Sequence, residues 1–179
     1  MKKMIGAAIL CLSMLTSLKA ENYIDYVSLG LAVQTLQDSN IEDFNALLED
    51  DYGFAVVANV GKYIYDDIAL EFEGSASVVK PEWRLPTGES DKVDFFSLGF
   101  YGTYIWRINN ISIKPRIGLV YEKMSSKLQG LRLKDTADLG LSGGIGLSYQ
   151  FANHYEVFTN FTKFEDDINH LTFGATYKF

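Results

Sequence analysis

The last nine residues, Leu171–Phe179, read LTFGATYKF. Leu171, Phe173, Ala175, Tyr177 and Phe179 fall on one face of an extended chain, and Thr172, Gly174, Thr176 and Lys178 on the other. Successive β-strand side chains point to opposite faces, so this pattern is a strand with one apolar side that runs to the final residue.

The same alternation recurs upstream. Phe96, Leu98, Phe100, Gly102, Tyr104 and Trp106 oppose Ser97, Gly99, Tyr101 and Thr103. Ile68, Leu70 and Phe72 oppose Ala69, Glu71 and Glu73, and Ile111, Ile113, Ile117 and Leu119 oppose Ser112, Lys114, Arg116 and Gly118. Eight runs are predicted, at 24–35, 52–61, 68–79, 94–106, 111–122, 139–151, 155–163 and 170–179. Each matches the roughly 9–11 residues that a tilted strand needs to cross a bilayer.

The connections alternate between long (36–51, 80–93, 123–138) and short (62–67, 107–110, 152–154). Antiparallel neighbours send successive connections to opposite ends, and an outer-membrane barrel keeps tight turns at one end and long loops at the other. Over the core of the runs the apolar face holds no Asp, Glu, Lys or Arg. Tyr63, Tyr104, Trp106, Tyr149, Phe151, Tyr155, Tyr177 and Phe179 gather near the short-turn ends, as an interfacial aromatic girdle does. Tyr52, Phe54, Phe96, Tyr121 and Phe161 supply a second girdle. The polar face is rich in Gly and Ser, which suits a crowded interior. The expected fold is all-β, an eight-stranded antiparallel up-and-down transmembrane β-barrel.

Composition narrows the class further. Of 179 residues, 47% are apolar and 22% charged, and the net charge is −7, which opposes nucleic-acid binding. Lys2 and Lys3, the apolar stretch Met4–Leu15 and the small Ala20 have the layout of a secretory signal peptide. Residues 1–20 are therefore expected to be cleaved and 21–179 to form the barrel. That cleavage removes three lysines and no acid, taking the net charge to −10, and removes Cys11, the single cysteine.

The signal, the eight runs and the terminal Tyr177–Lys178–Phe179 resemble the small outer-membrane β-barrels of the OmpA membrane domain, OmpX and opacity-protein type. The resemblance implies a Gram-negative outer-membrane location. It implies outer-membrane lipid and lipopolysaccharide as surroundings, and the barrel-assembly machinery as a partner that reads Phe173, Tyr177 and Phe179. It also implies a structural or surface-interaction, adhesion-like role through extracellular loops, with a host or cell-surface partner. One departure is Pro115, which lacks a ladder donor inside the fifth run.

Six charges fall on the inward face: Glu71, Glu73, Lys114, Arg116, Glu156 and Lys178. An eight-stranded barrel is only wide enough for its own side chains, so these three acids and three bases are expected to pair as a lumen ionic network. The alternatives are passage of a small apolar ligand and a lipid A-modifying enzyme. The first wants an apolar outer lumen, where the inward residues read as mainly small or polar. The second wants a His-x-Ser facing lipid, whereas His170-x-Thr172 faces inward. No catalytic set, metal site or cofactor is expected. In the first long connection, Ser39–Glu42 has the form of a capping box, and Ile41, Phe44, Leu47 and Leu48 recur at helical spacing, which predicts a short amphipathic helix.

Overall fold

The structure, a computed structural model, describes residues 23–36, 47–50, 52–80, 82–84, 90–92, 94–125, 137–164 and 168–179. The expected signal segment lies outside them. The barrel strands are β1 (Tyr26–Leu36), β2 (Tyr52–Tyr65), β3 (Ile68–Val79), β4 (Asp94–Tyr104), β5 (Ile111–Ser125), β6 (Ala137–Ala152), β7 (Tyr155–Phe164) and β8 (Ile168–Lys178). Each pairs antiparallel with its sequence neighbours. β8 pairs with β1 from Tyr26–Lys178 to Leu36–Ile168, which closes the cylinder and leaves no free barrel edge.

The side-chain phase is inverted relative to a soluble barrel. Ile117 is 69% exposed while the adjacent Arg116 is 6% exposed. Leu31, Phe72, Phe100, Leu119, Leu141, Ile145 and Phe173 all face outward and exposed, while Glu71, Glu73, Glu156, Ser97 and Thr172 are buried inside. Water does not sustain an apolar band this continuous, so the outward face is a lipid-facing one.

At one end lie the tight turns Asp66–Asp67, Asn109–Asn110 and Asn153–His154. Asn109 takes φ 55°, the left-handed conformation that asparagine tolerates better than most residues. This end is tied around its circumference by backbone hydrogen bonds. Asp25 N–H donates to the Gly61 carbonyl, Ile105 to Asp67, Gln150 to Asn110, Lys178 to His154 and Phe179 to Asp25, at 2.7–2.9 Å. The last bond brings the belt back to its start.

Pro115 faces outward and its consequence is local. Pairing with β6 runs unbroken through Ile145–Pro115. Pairing with β4 stops at Thr103–Arg116, and the short segment Trp106–Ile108 that follows β4 pairs in the same register from Trp106–Ile113. The missing donor thus interrupts one ladder only; on the β3 side, Ile105 N–H bonds the Asp67 carbonyl and continues the Ile68–Tyr104 register.

Beyond the other end, β2, β3 and β4 are continued by short extended segments. Leu47–Asp50 pairs with Glu82–Arg84, which pairs with Ser90–Lys92, giving a separate three-stranded sheet. The predicted helix is therefore corrected over Leu47–Asp50, where the chain is a strand. Backbone pairing with Glu82–Arg84 outcompetes the local helical pattern there. The rest of that helix, 39–46, lies outside the described residues.

Candidate functional site

The lumen is built in layers, and the inward phase of each strand decides what enters it. Near the tight turns, Lys114 of β5 pairs with Glu156 of β7, and Lys178 of β8 reaches the same carboxylate at 2.7 Å. Lys178 also donates to Gln150 Oε1 at 3.1 Å. A second group forms around Arg116 of β5. Its Nη1 and Nη2 donate to Glu73 of β3 at 2.6 and 3.1 Å, and Nη2 also meets Thr162 Oγ1. Glu71 lies 3.7 Å from Nη1, and it accepts hydrogen bonds from Tyr26 Oη at 2.5 Å and Asn59 Nδ2 at 3.3 Å.

So the six charges named from the sequence fall into two groups. Arg116 with Glu71 and Glu73 carries one acid in surplus, and Glu156 with Lys114 and Lys178 one base in surplus. Between them lies a cavity with about 20 Å³ open to the centre of a water molecule. That is about one water's share. Asn59, Glu73, Lys114 and Asn160 are among its lining residues.

Tyrosines complete this layer. Arg116 lies 4.3 Å from the Tyr101 ring centroid, and Tyr101 Oη donates to Ser142 at 3.1 Å. Glycines make the room, Gly61 on the strand beside Tyr26 and Gly99 two residues before Tyr101 on its own strand. A Cβ at Gly61 would stand 2.0 Å from the Tyr26 ring, and one at Gly99 2.4 Å from the Tyr101 ring.

The outer half is closed differently. Phe95 of β4, Val120 of β5 and Phe164 of β7 pack together, with His170 of β8 against both rings. Ring centroids are 6.0 Å apart for Phe95–Phe164, 5.5 Å for Phe95–His170 and 4.5 Å for Phe164–His170. Gln34 Nε2 donates to His170 Nε2 at 2.8 Å, and Ser77 donates to Gln34 Oε1 at 2.7 Å. This apolar layer differs from the small and polar residues expected there. Phe95 and Phe164 lie at strand ends, where sequence gives little hold on phase. Asn59, Gln34, Glu122 and Tyr26, all buried inside, were also missed.

The proposed assembly residues divide. Tyr177 and Phe179 meet at 5.3 Å between ring centroids, and Tyr155 lies 5.3 Å from Tyr177. Phe173 stands apart from them, facing outward and 54% exposed. His154 Nδ1 donates to the Lys178 carbonyl at 2.8 Å. Tyr63, placed by sequence in the girdle, is half-buried and packs on Tyr26 at 5.3 Å between ring centroids, with the Arg107 guanidinium over its ring at 5.5 Å. Among the described residues, no group of three or more His, Cys, Asp or Glu is arranged to hold a metal ion. At the outer rim, Lys80 and Asp94 pair at 2.5 Å, closing the base of the hairpin that carries the small sheet.

No protein-family model and no curated protein matches the sequence. Solved structures do match in fold. Neisserial surface protein A superposes with a TM-score of 0.59 at 16% identity, over 86% of this chain and 96% of that one. Ail, the attachment invasion locus protein of Yersinia pestis, gives 0.54 at 17% identity, over 87% and 97%. The N-terminal β-barrel domain of Pseudomonas aeruginosa OprF gives 0.58 at 11% identity, over 87% and 98%. The chain has the fold of the small eight-stranded outer-membrane β-barrels.

Proposed function

We propose that this chain is an exported protein of the Gram-negative outer membrane that acts through its outer face, with a barrel that is anchor rather than channel. The observation that carries the reading is the continuation of three consecutive strands, β2, β3 and β4, into a sheet beyond the barrel. A barrel that served only to fill the membrane would not need that extension. The filled lumen supports the same reading, because its groups are spent on one another. Phe95, Val120 and Phe164 occupy the place where an apolar ligand would enter. His170 and Thr172 are buried in the lumen, away from the surface a lipid substrate would touch.

The fold shared with Ail, the attachment invasion locus protein, favours contact with another cell as the role. Ail has also been solved with a heparin analogue. The net charge of −7 here argues against a polyanion as this chain's partner and for a neutral or basic one. Lipopolysaccharide surrounds the rim, and Phe173, Tyr177 and Phe179 are the segment offered to the barrel-assembly machinery.

The test is to replace residues 82–92 with a flexible Gly-Ser linker. Attachment of expressing cells to epithelial monolayers, and their survival in serum, should fall to the level of non-expressing cells. The heat-modifiable barrel should persist on gels. Unchanged attachment and survival would contradict the proposal.

A further inference from the structure

We infer that the lumen is sealed twice in series, by an ionic layer toward the tight turns and an aromatic layer toward the long loops, and that either layer alone blocks ions. This rests on the closed-barrel reading above and deepens it.

The layers are separate in chemistry and in place. The ionic layer is Arg116 with Glu71 and Glu73, and Glu156 with Lys114 and Lys178. Its charged side chains pack around a cavity of about 20 Å³, room for about one water. Charged walls nevertheless wet readily, and a pair that opens transiently admits water. The aromatic layer has the opposite character. Phe95, Val120, Phe164 and His170 come from four strands and are each at most 6% exposed. Gln34 from β1 donates to His170, and Ser77 from β3 donates to Gln34, which completes the ring. An apolar constriction blocks ions by excluding water, with no charge required. Opening the ionic layer therefore leaves a vestibule that ends against the aromatic one. Opening the aromatic layer leaves a mouth that ends at Arg116.

Single-channel recording in planar bilayers with KCl tests this as a two-by-two set. The ionic variant is Arg116→Ala with Glu73→Gln, which opens space while removing one of the acids Arg116 neutralised. The aromatic variant is Phe95→Ala, with Phe164→Ala as a second version taken from a different strand. Heat-modifiable mobility confirms that each barrel has folded. Both versions of the aromatic variant and the ionic variant should be as silent as wild type, and the combinations should show openings. Openings in a folded single-layer variant, or silence in every folded combination, would overturn the inference while leaving the closed-barrel reading intact. Steady conductance in wild type would sink that reading itself.

Discussion

Arg116 on β5 holds Glu73 on β3 in a two-point pair, Nη1–Oε2 at 2.6 Å and Nη2–Oε1 at 3.1 Å, across the intervening β4. The bond is not a neighbour contact along the sheet. It spans the lumen, so it ties parts of the wall that the hydrogen-bond ladder joins only indirectly. Both residues are buried, and Glu71 stands close enough to share the same cation. A planar guanidinium serves this position because it meets a carboxylate at two points and still reaches Thr162.

Arg116→Ala should accordingly destabilise the barrel. It leaves Glu73 and Glu71 buried without their cation, a change that costs on the order of 3–5 kcal/mol when the pair is fully buried. Water entering the lumen reduces that figure. Adding Glu73→Gln should restore part of the loss. Urea unfolding in detergent micelles, followed by tryptophan fluorescence, measures both. Equal stability of wild type and Arg116→Ala would refute the pair's structural role.

Gly118 and Gly102 should respond oppositely to the same substitution. A Cβ at Gly118 would fall 2.1 Å from the Phe100 carbonyl oxygen, which is backbone and has nowhere to go, and 2.7 Å from the Tyr101 ring. A Cβ at Gly102 meets nothing nearer than 3.9 Å. Gly118→Ala should cost about 1–3 kcal/mol, as overpacking does. Gly102→Ala should stay within about 0.5 kcal/mol of wild type. The same unfolding assay decides, and a reversed order would show that the inward and outward phases are misassigned.

Deleting Phe179 should impair assembly and spare export. Its N–H closes the turn-end belt on the Asp25 carbonyl at 2.9 Å, and its ring packs on Tyr177. Loss of both should leave more unfolded protein in the periplasm and less heat-modifiable barrel in outer-membrane fractions. Normal outer-membrane yield would remove Phe179 from the assembly segment.

The legible and illegible parts of this molecule divide along physical lines. Strand phase was readable because a period of two is local: once Leu171 and Phe173 share a face, every residue of β8 is placed. Membrane polarity was readable because charges such as Glu71 and Lys114 all took the other face. Partners across the lumen were not readable. That Arg116 meets Glu73, and that Lys114 meets Glu156, depends on the stagger between strands, which no single strand encodes. The aromatic layer was missed for a related reason. Phe95 and Phe164 sit at the outer ends of their strands, where the alternation fades into loop. A signal did exist in Gly99, two residues before Tyr101 on the same face, whereas matching Tyr26 to Gly61 needs the register between strands. The helix expected around Leu47 failed because its best pairing partner, Glu82–Arg84, lies in another loop.

Orientation in the membrane is the central claim, and cysteine labelling on living cells tests it most directly. In a Cys11→Ser background, Ser90→Cys places a thiol in the outer sheet and Asn110→Cys places one in a tight turn. A membrane-impermeant maleimide should label Ser90→Cys on intact cells and reach Asn110→Cys only after the outer membrane is permeabilised. Labelling of Asn110→Cys on intact cells with Ser90→Cys protected, or recovery of both variants as soluble periplasmic protein, would contradict the account.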